Sequence, residues 1–283
     1  EEAGREHYKH YTKNELILCL GKGTNIGSTK SWSPEFGWKR IDEKLEDFGL
    51  IQSINSVNGA TAFYSEGTDH VFKVTTKFGY SFTGNAGHKM FGWKNTPHSK
   101  TYSTKKDPYE IPIAELEKGD IAVIYGGWEE SENPYEVTCD EARLIGYMIG
   151  DGTWVKNGAK GKRNPCFTNA TKEVQDDILR IVESIGGSVR PYLSGAGCWA
   201  IAINGITDWF VKHGLIQDYN TFKSWNDQWM NMSSENLAQL INGLWATDGW
   251  GSIQDSEIHG KPVKGLSIAI EMNSESIVSG LHM

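Results

Sequence analysis

Two apolar segments ending in Asp-Gly constrain this chain more than any other feature. They are Leu144-Ile-Gly-Tyr-Met-Ile-Gly-Asp-Gly152 and Ile241-Asn-Gly-Leu-Trp-Ala-Thr-Asp-Gly249. Each keeps glycine at its third position, Gly146 in one and Gly243 in the other. The terminal aspartates, Asp151 and Asp248, lie 97 residues apart, a spacing that implies two similar subdomains and not a short-period solenoid. Glycine lowers helix propensity, so Gly146 and Gly150 one turn apart call for a packing reason. A second helix with small residues at Gly243 and Thr247 supplies it: the two can approach backbone to backbone and run in parallel. Asp151 and Asp248 then meet at the helix ends. Two carboxylates in one place repel, and their hard oxygens suit magnesium. A metal clamp there suits phosphodiester hydrolysis. The plain alternative is two ordinary core helices, each closed by an Asp-Gly turn.

The paired segments resemble the LAGLIDADG motifs of homing endonucleases, the two-repeat type found inserted in inteins. The resemblance covers about residues 139–283. It implies that Asp151 and Asp248 help bind the metal, Mg2+, and that the partner is double-stranded DNA. The order of elements agrees with it. Thr138 and Glu141 form a capping-box pattern ahead of the first motif helix. Strands are expected at 153–155 and 166–168, then a helix at 172–185 capped by Thr171, with Val174, Ile178, Ile181, Val182 and Ile185 at helical spacing. A second hairpin (188–193 and 198–203) and a helix from Asn204 or Thr207 to His213-Gly214 complete one repeat. Ser233 opens the second motif helix. Strands at 250–253 and 266–270 follow, then a helix from Asn273 or Ser274. By symmetry a closing hairpin and helix are missing, so the second repeat reads as incomplete.

DNA contacts are expected from Lys156, Lys160, Lys162 and Arg163 in one loop, with Arg190, Lys261 and Lys264 beyond it; an exposed hydrophilic loop explains the first cluster equally well. Trp154, Trp199 and Trp250 read as core residues. Related sequences carry a Lys-Arg-Ile-Pro stretch near the linker that holds Lys223. This chain has Asn226-Asp-Gln-Trp229 there, which puts a basic catalytic or DNA-contact residue in question. The net charge of −8 over 283 residues argues against non-specific nucleic-acid binding, so any basic surface must be confined to one face.

Ahead of the joint at 126–138, residues 19–138 read as mostly β. A strand is expected at 16–20, a small helix at 38–48, alternating segments at 72–76 and 79–83 around a turn, and a short helix or turn at 111–120 leading into a strand at 121–125. Gly21-Lys-Gly23 and Gly27-Ser-Thr-Lys30 fail the phosphate-loop pattern; such a half-motif fits a P-loop ATPase host interrupted at this point. The region resembles the Hint fold of intein splicing domains. Cys19-Leu20 followed by Thr24-Asn-Ile26, and Gly37-Trp-Lys-Arg-Ile41 after it, match the first block. Gly79-Tyr-Ser-Phe-Thr83-Gly-Asn85-Ala-Gly-His88 matches the second, and Leu116-Glu-Lys-Gly119-Asp120-Ile-Ala-Val123 the segment that leads onward. The resemblance makes Cys19 the first residue, Thr83 and His88 the activating pair, and Asn85 their neighbour. A Cys19 thiolate can attack the Leu18 carbonyl, and an imidazole can protonate the leaving amine. Two alternatives stay open: Cys19 as a small buried strand residue with the inserted element starting at Thr24, and His88 as an ordinary hairpin histidine.

The expected architecture is therefore mixed: a flanking segment at 1–18, an all-β Hint-like splicing domain at 19–138, and an α/β two-repeat LAGLIDADG endonuclease domain with an incomplete second repeat at 139–283. Three functions fit it. One is protein splicing at Cys19, needing a C-terminal intein fragment or the remainder of the same precursor, because the late His and terminal Asn are missing. Another is a Mg2+-dependent endonuclease acting through Asp151 and Asp248. The last is an inactive folded insertion. Splicing itself needs no cofactor. Four scattered cysteines (Cys19, Cys139, Cys166, Cys198) and the lack of a bilayer-length apolar run point to a cytoplasmic protein, and the intein resemblance implies flanking host segments.

Overall fold

The computed structural model describes residues 5–8, 15–17, 28–44, 50–52, 57–59, 64–67, 69–95, 107–124, 130–157, 162–193, 199–215, 223–258 and 261–282. The chain divides into two compact units, residues 1–134 and 135–281. No helix among the described residues is long and apolar enough to cross a membrane.

The first unit contains twelve short strands among its described residues: β1 (Arg5–Tyr8), β2 (Glu15–Ile17), β3 (Lys30–Ser33), β4 (Gly37–Arg40), β5 (Leu50–Gln52), β6 (Val57–Gly59), β7 (Tyr64–Gly67), β8 (Val71–Thr75), β9 (Ser81–Asn85), β10 (Lys89–Trp93), β11 (Tyr109–Pro112) and β12 (Ile121–Ala122). They form small antiparallel sheets, β1-β8-β9, β11-β10-β12, β2-β7, β3-β4 and β5-β6. Among the described residues these do not join into one larger sheet. Trp32, Ile41, Val71, Ile111 and Ile113 are its buried apolar side chains among the described residues.

The helix expected at 38–48 is not there. Gly37 takes a left-handed turn (φ 66°), which returns the chain so that Trp38 pairs with Trp32 across β3-β4. Only one 3-10 turn, Ile41–Lys44, follows; residues 45–49 lie outside the described residues. The strand expected at 16–20 is seen as Glu15–Ile17, with 18–20 outside the described residues. The strand expected at 121–125 ends at Ala122, although Val123 N–H still donates to Phe91 O at 2.8 Å.

The second unit runs α1 (Cys139–Gly150), β13 (Gly152–Asn157), β14 (Lys162–Thr168), α2 (Lys172–Ser184), β15 (Ser188–Leu193), β16 (Trp199–Asn204), α3 (Thr207–Lys212), α4 (Ser234–Asp248), β17 (Gly249–Ile258), β18 (Lys261–Ile270) and α5 (Glu275–His282). The order read from the sequence holds. Thr138 and Glu141 make the capping box of α1, and Ser233 caps α4 by accepting from Asn236 N–H. Thr171 precedes α2 but makes no side-chain cap; Asn169 Oδ1 accepts from Thr171 N–H in a turn just ahead of the helix. Glu141 also accepts from the indole N–H of Trp209 at 2.8 Å, which ties α3 to the start of α1.

The first repeat forms an antiparallel sheet in the order β13-β14-β16-β15. Phe167 and Trp154 lie on its covered face: Phe167 packs against Tyr147 of α1, and Trp154 against Phe210 of α3. Lys156, Lys162 and Arg163 are not in a loop as expected. They lie on the strands, Lys156 opposite Arg163 and Asn157 opposite Lys162, because the hairpin continues past Val155.

Parallel helices α1 and α4 form the centre of the unit. An added Cβ on Gly146 would stand 2.0 Å from Leu240 O, and one on Gly243 would stand 2.3 Å from Arg143 O. The 97-residue offset relates these contacts: Gly146 touches Leu240 as Gly243 touches Arg143. The two repeats thus meet by a local two-fold relation, with backbone against backbone. Leu144, Ile145, Leu240 and Leu244 are fully buried around it.

Among the described residues the sheet of the second repeat consists of β17-β18, followed by α5. Pairing sets Gly249 opposite Ile270, Gly251 opposite Ile268 and Ile253 opposite Leu266, all on the face that matches the Gly152-Phe167 pair of the first repeat. In the first repeat that face is covered. Here Ile253, Leu266 and Ile268 are 71%, 72% and 61% exposed. Two tryptophans read as core residues also prove exposed: Trp199 sits at the mouth of the β15-β16 hairpin, and Trp250 alternates to the outer face of β17.

Substituting Gly146→Ala or Gly243→Ala should lower the unfolding free energy of the second unit by about 2–3 kcal/mol or more, since the obstacle is backbone that cannot swing aside. Gly251→Ala, whose Cβ would meet nothing closer than 3.7 Å, serves as the control and should shift the urea midpoint little.

Candidate functional site

The helix pair delivers its two aspartates to one place. Asp151 is the C-cap of α1, and Asp248 is the last residue of α4. Gly150 makes their approach possible: a Cβ there would lie 1.8 Å from Thr247 Oγ1 and 3.0 Å from Asp248 Oδ2. A side chain at position 150 would therefore push into the second carboxylate. Burial raises the Asp248 carboxyl above the ordinary aspartate value, the neighbouring charge of Asp151 adds to this, and Lys223 opposes it.

Lys223 is the third member, named in the sequence only as a linker residue. Its ammonium donates to Gly150 O. Burial lowers its basicity, against the pull of Asp248 and Asp151. The linker is held in place by α5: Ser274 Oγ donates to Lys223 O, Trp225 N–H donates to Ser276 Oγ at 3.0 Å, and the Trp225 ring fills the space over Gly280. A basic group therefore stands near the two aspartates, three residues ahead of Asn226-Asp-Gln-Trp229. The signal that could have found it is a lysine just upstream of a Trp-x-x-x-Trp anchor: Trp225 and Trp229 stack edge to face at 5.4 Å and are both buried.

Asp151 has a different neighbour. Asn169 Nδ2 donates to Asp151 Oδ2 at 2.6 Å, and Thr168 N–H reaches Asp151 O at 3.4 Å. No group of three or more His, Cys, Asp or Glu residues suited to a metal exists among the described residues. Two carboxylates fit a hard divalent cation of the magnesium kind, which keeps most of its waters and takes further oxygens from a phosphate.

The remaining candidates divide between the units. Cys19, Leu18 and Thr24 lie outside the described residues. Thr83 pairs with Lys73 in the β8-β9 hairpin, and Asn85 Nδ2 donates to Asp69 Oδ2 at 3.2 Å. His88 follows in the turn, its ring 4.7 Å from that of Phe82. Its carbonyl accepts from Ile113 N–H, its Nδ1 is buried with no hydrogen-bond partner among the described residues, and burial lowers its pKa. In the second unit Arg190 is exposed opposite Ala202, on the face shared with Cys166 and Tyr192 and not with Phe167. Lys160 lies outside the described residues; Lys156, Lys162 and Arg163 are placed by backbone alone.

No family model matches the chain. Among curated proteins the chain is similar to Protein RecA of Mycobacterium bovis and of two Mycobacterium tuberculosis strains, each 23% identical over 284 residues. The match covers 93% of this chain and 32% of each relative, so the chain spans about a third of the length of the curated relatives it matches. Among solved structures there is a likeness to mesophilic variants of the homing endonuclease I-DmoI (TM-score 0.30, 9% identity, 46% of this chain and 88% of that one). I-DmoI in complex with DNA and Ca gives a TM-score of 0.28 at 10% identity, covering 46% of this chain and 83% of that one. Neither score is high enough for the likeness to bear on the fold.

A carboxyl with a raised folded pKa favours folding most at pH below its unfolded value, and that contribution is lost as pH rises through the folded value. Carboxyl 13C titration should therefore show Asp248 ionising at higher pH than an ordinary aspartate. In Asp151→Asn its midpoint should fall, because one of the two causes of the shift is gone. An unchanged midpoint would mean that the two carboxylates do not sense each other.

Proposed function

We propose that the second unit is a metal-dependent endonuclease that hydrolyses double-stranded DNA through Asp151 and Asp248, as the LAGLIDADG resemblance implies. The observation that carries this reading is the helix pair whose two-fold relation brings Asp151 and Asp248 to one end, with half-buried Lys223 near enough for its charge to act on both. Bound Mg2+ would polarise a phosphodiester and help generate a hydroxide from water. Asp151 and Asp248 would hold it. The Lys223 ammonium, less basic than usual and close to both carboxylates, would offset negative charge developing on the cleaved phosphate. The outer face of the first sheet, with Arg190, Tyr192, Thr153 and Thr168, is a surface on which a duplex can lie, since a β-ribbon fits the major groove. Lys156, Lys160, Lys162 and Arg163 would serve phosphate contacts at the β13-β14 end. The open apolar face of β17-β18 supports the further part of this reading, in which additional polypeptide completes the second repeat.

The first unit favours a second reading, splicing at Cys19 with Thr83, Asn85 and His88. Two observations support it. His88 has a buried Nδ1 with no hydrogen-bond partner among the described residues, beside the β8-β9 hairpin, and a neutral imidazole can take and pass a proton. The likeness to Protein RecA extends over 93% of the chain and therefore into both units, which fits a host protein of that kind. A C-terminal intein fragment or the remainder of the precursor would supply the rest.

Incubation with a duplex DNA library should give Mg2+-dependent double-strand cuts. Asp151→Asn or Asp248→Asn should each reduce the rate by about 100-fold or more, and Lys223→Met by about 10- to 100-fold. Cutting that survives in both aspartate variants would overturn the assignment. For the second reading, added thiol should cleave the chain between Leu18 and Cys19, and Cys19→Ala should abolish this. Cleavage unchanged in that variant would reject Cys19 as nucleophile.

A further inference from the structure

The two repeats match closely at the helices and differ at what holds each carboxylate. Asp151 Oδ2 accepts from Asn169 Nδ2 at 2.6 Å. The orientation of the Asn169 amide is fixed by its partners. Its Oδ1 accepts from Thr171 N–H at 2.7 Å, which can only donate, while its Nδ2 faces a carboxylate, which when ionised can only accept. A flipped amide would set oxygen against carboxylate and NH2 against N–H. The main chain is held as well: Asn169 O accepts from Gln175 Nε2 at 2.6 Å, one turn into α2. Asn169 is thus braced by α2 on two sides and presents one donor to Asp151.

Asp248 has no counterpart. The pairs Gly152-Phe167 and Gly249-Ile270 align the repeats, so Met272 stands where Asn169 would be. Methionine offers no donor. Neither oxygen of Asp248 accepts a hydrogen bond from the described residues, and the charge of Lys223 acts on it instead.

We infer that Asn169 is a positioning residue that fixes the Asp151 carboxylate for a divalent cation, so that Asp151 is the rigid ligand and Asp248 the adjustable one. The inference rests on the proposed metal site. Outer hydrogen bonds of this kind orient a ligand before the cation arrives, and their loss lowers metal affinity by about 10- to 100-fold.

The test is Mn2+ titration of the full chain without DNA, read as free Mn2+ by EPR, in the wild type and in variants. Asn169→Ser keeps an oxygen for the turn at Thr171 but cannot reach Asp151, so α2 should stay folded by circular dichroism. Its Mn2+ affinity should fall by about 10-fold. The loss should persist in the Asp248→Asn background and vanish in the Asp151→Asn background, a pattern that a general structural defect would not produce. Asn169→Ser binding Mn2+ as the wild type does, while Asp151→Asn weakens it, would overturn the positioning role alone. A wild type that binds no Mn2+, or aspartate variants that bind it equally well, would overturn the metal site and this inference together.

Discussion

Everything in the second unit depends on two peptide backbones lying in contact. Gly146 faces Leu240 O and Gly243 faces Arg143 O at separations that leave no space for a methyl group. Interiors are close-packed and do not deform smoothly, so a side chain here cannot be absorbed by small shifts. The contact fixes the spacing, direction and phase of α1 and α4. Their C-terminal ends must then coincide, and so must the residues that follow. Two carboxylates held this way repel, and Asp248 is also deprived of water. The helix packing supplies what that electrostatic arrangement costs.

The arrangement is symmetric in its backbone and asymmetric in its chemistry. Gly150 in one helix faces Thr247 in the other. Asn169 holds Asp151, while Met272 stands at the matching place in the second repeat. Among the described residues Lys223 is the cation whose charge acts on both carboxylates, and it comes from the linker between the repeats and not from either of them. A pseudo-symmetric pair can thus present two carboxylates that differ in what holds them.

The helices were legible because their signals are local. Thr138 with Glu141, Ser233 ahead of Asn236, and the spacing of Val174, Ile178, Ile181 and Val182 each lie within a turn or two. The paired glycines were legible because a repeat turns a long-range contact into a pattern within the chain. What failed was decided at a distance. Trp38 lies in a segment that reads as a short helix, but its pairing with Trp32 across a left-handed Gly37 makes it a strand residue. Trp199 and Trp250 are apolar enough for a core, yet both lie exposed on the strands that carry them. The site was half legible for the same reason. Asp151 and Asp248 carry the repeat, whereas Asn169 reaches the site through contacts with α2 that no spacing announces, and Lys223 is marked only by the Trp225-x-x-x-Trp229 anchor behind it.

The most direct test of the central claim is anomalous scattering from crystals of this chain grown with Mn2+. The account predicts a Mn2+ peak within coordination distance of carboxylate oxygens from both Asp151 and Asp248. A peak bound elsewhere, or one held by only one of the two aspartates with the other turned away, would contradict it.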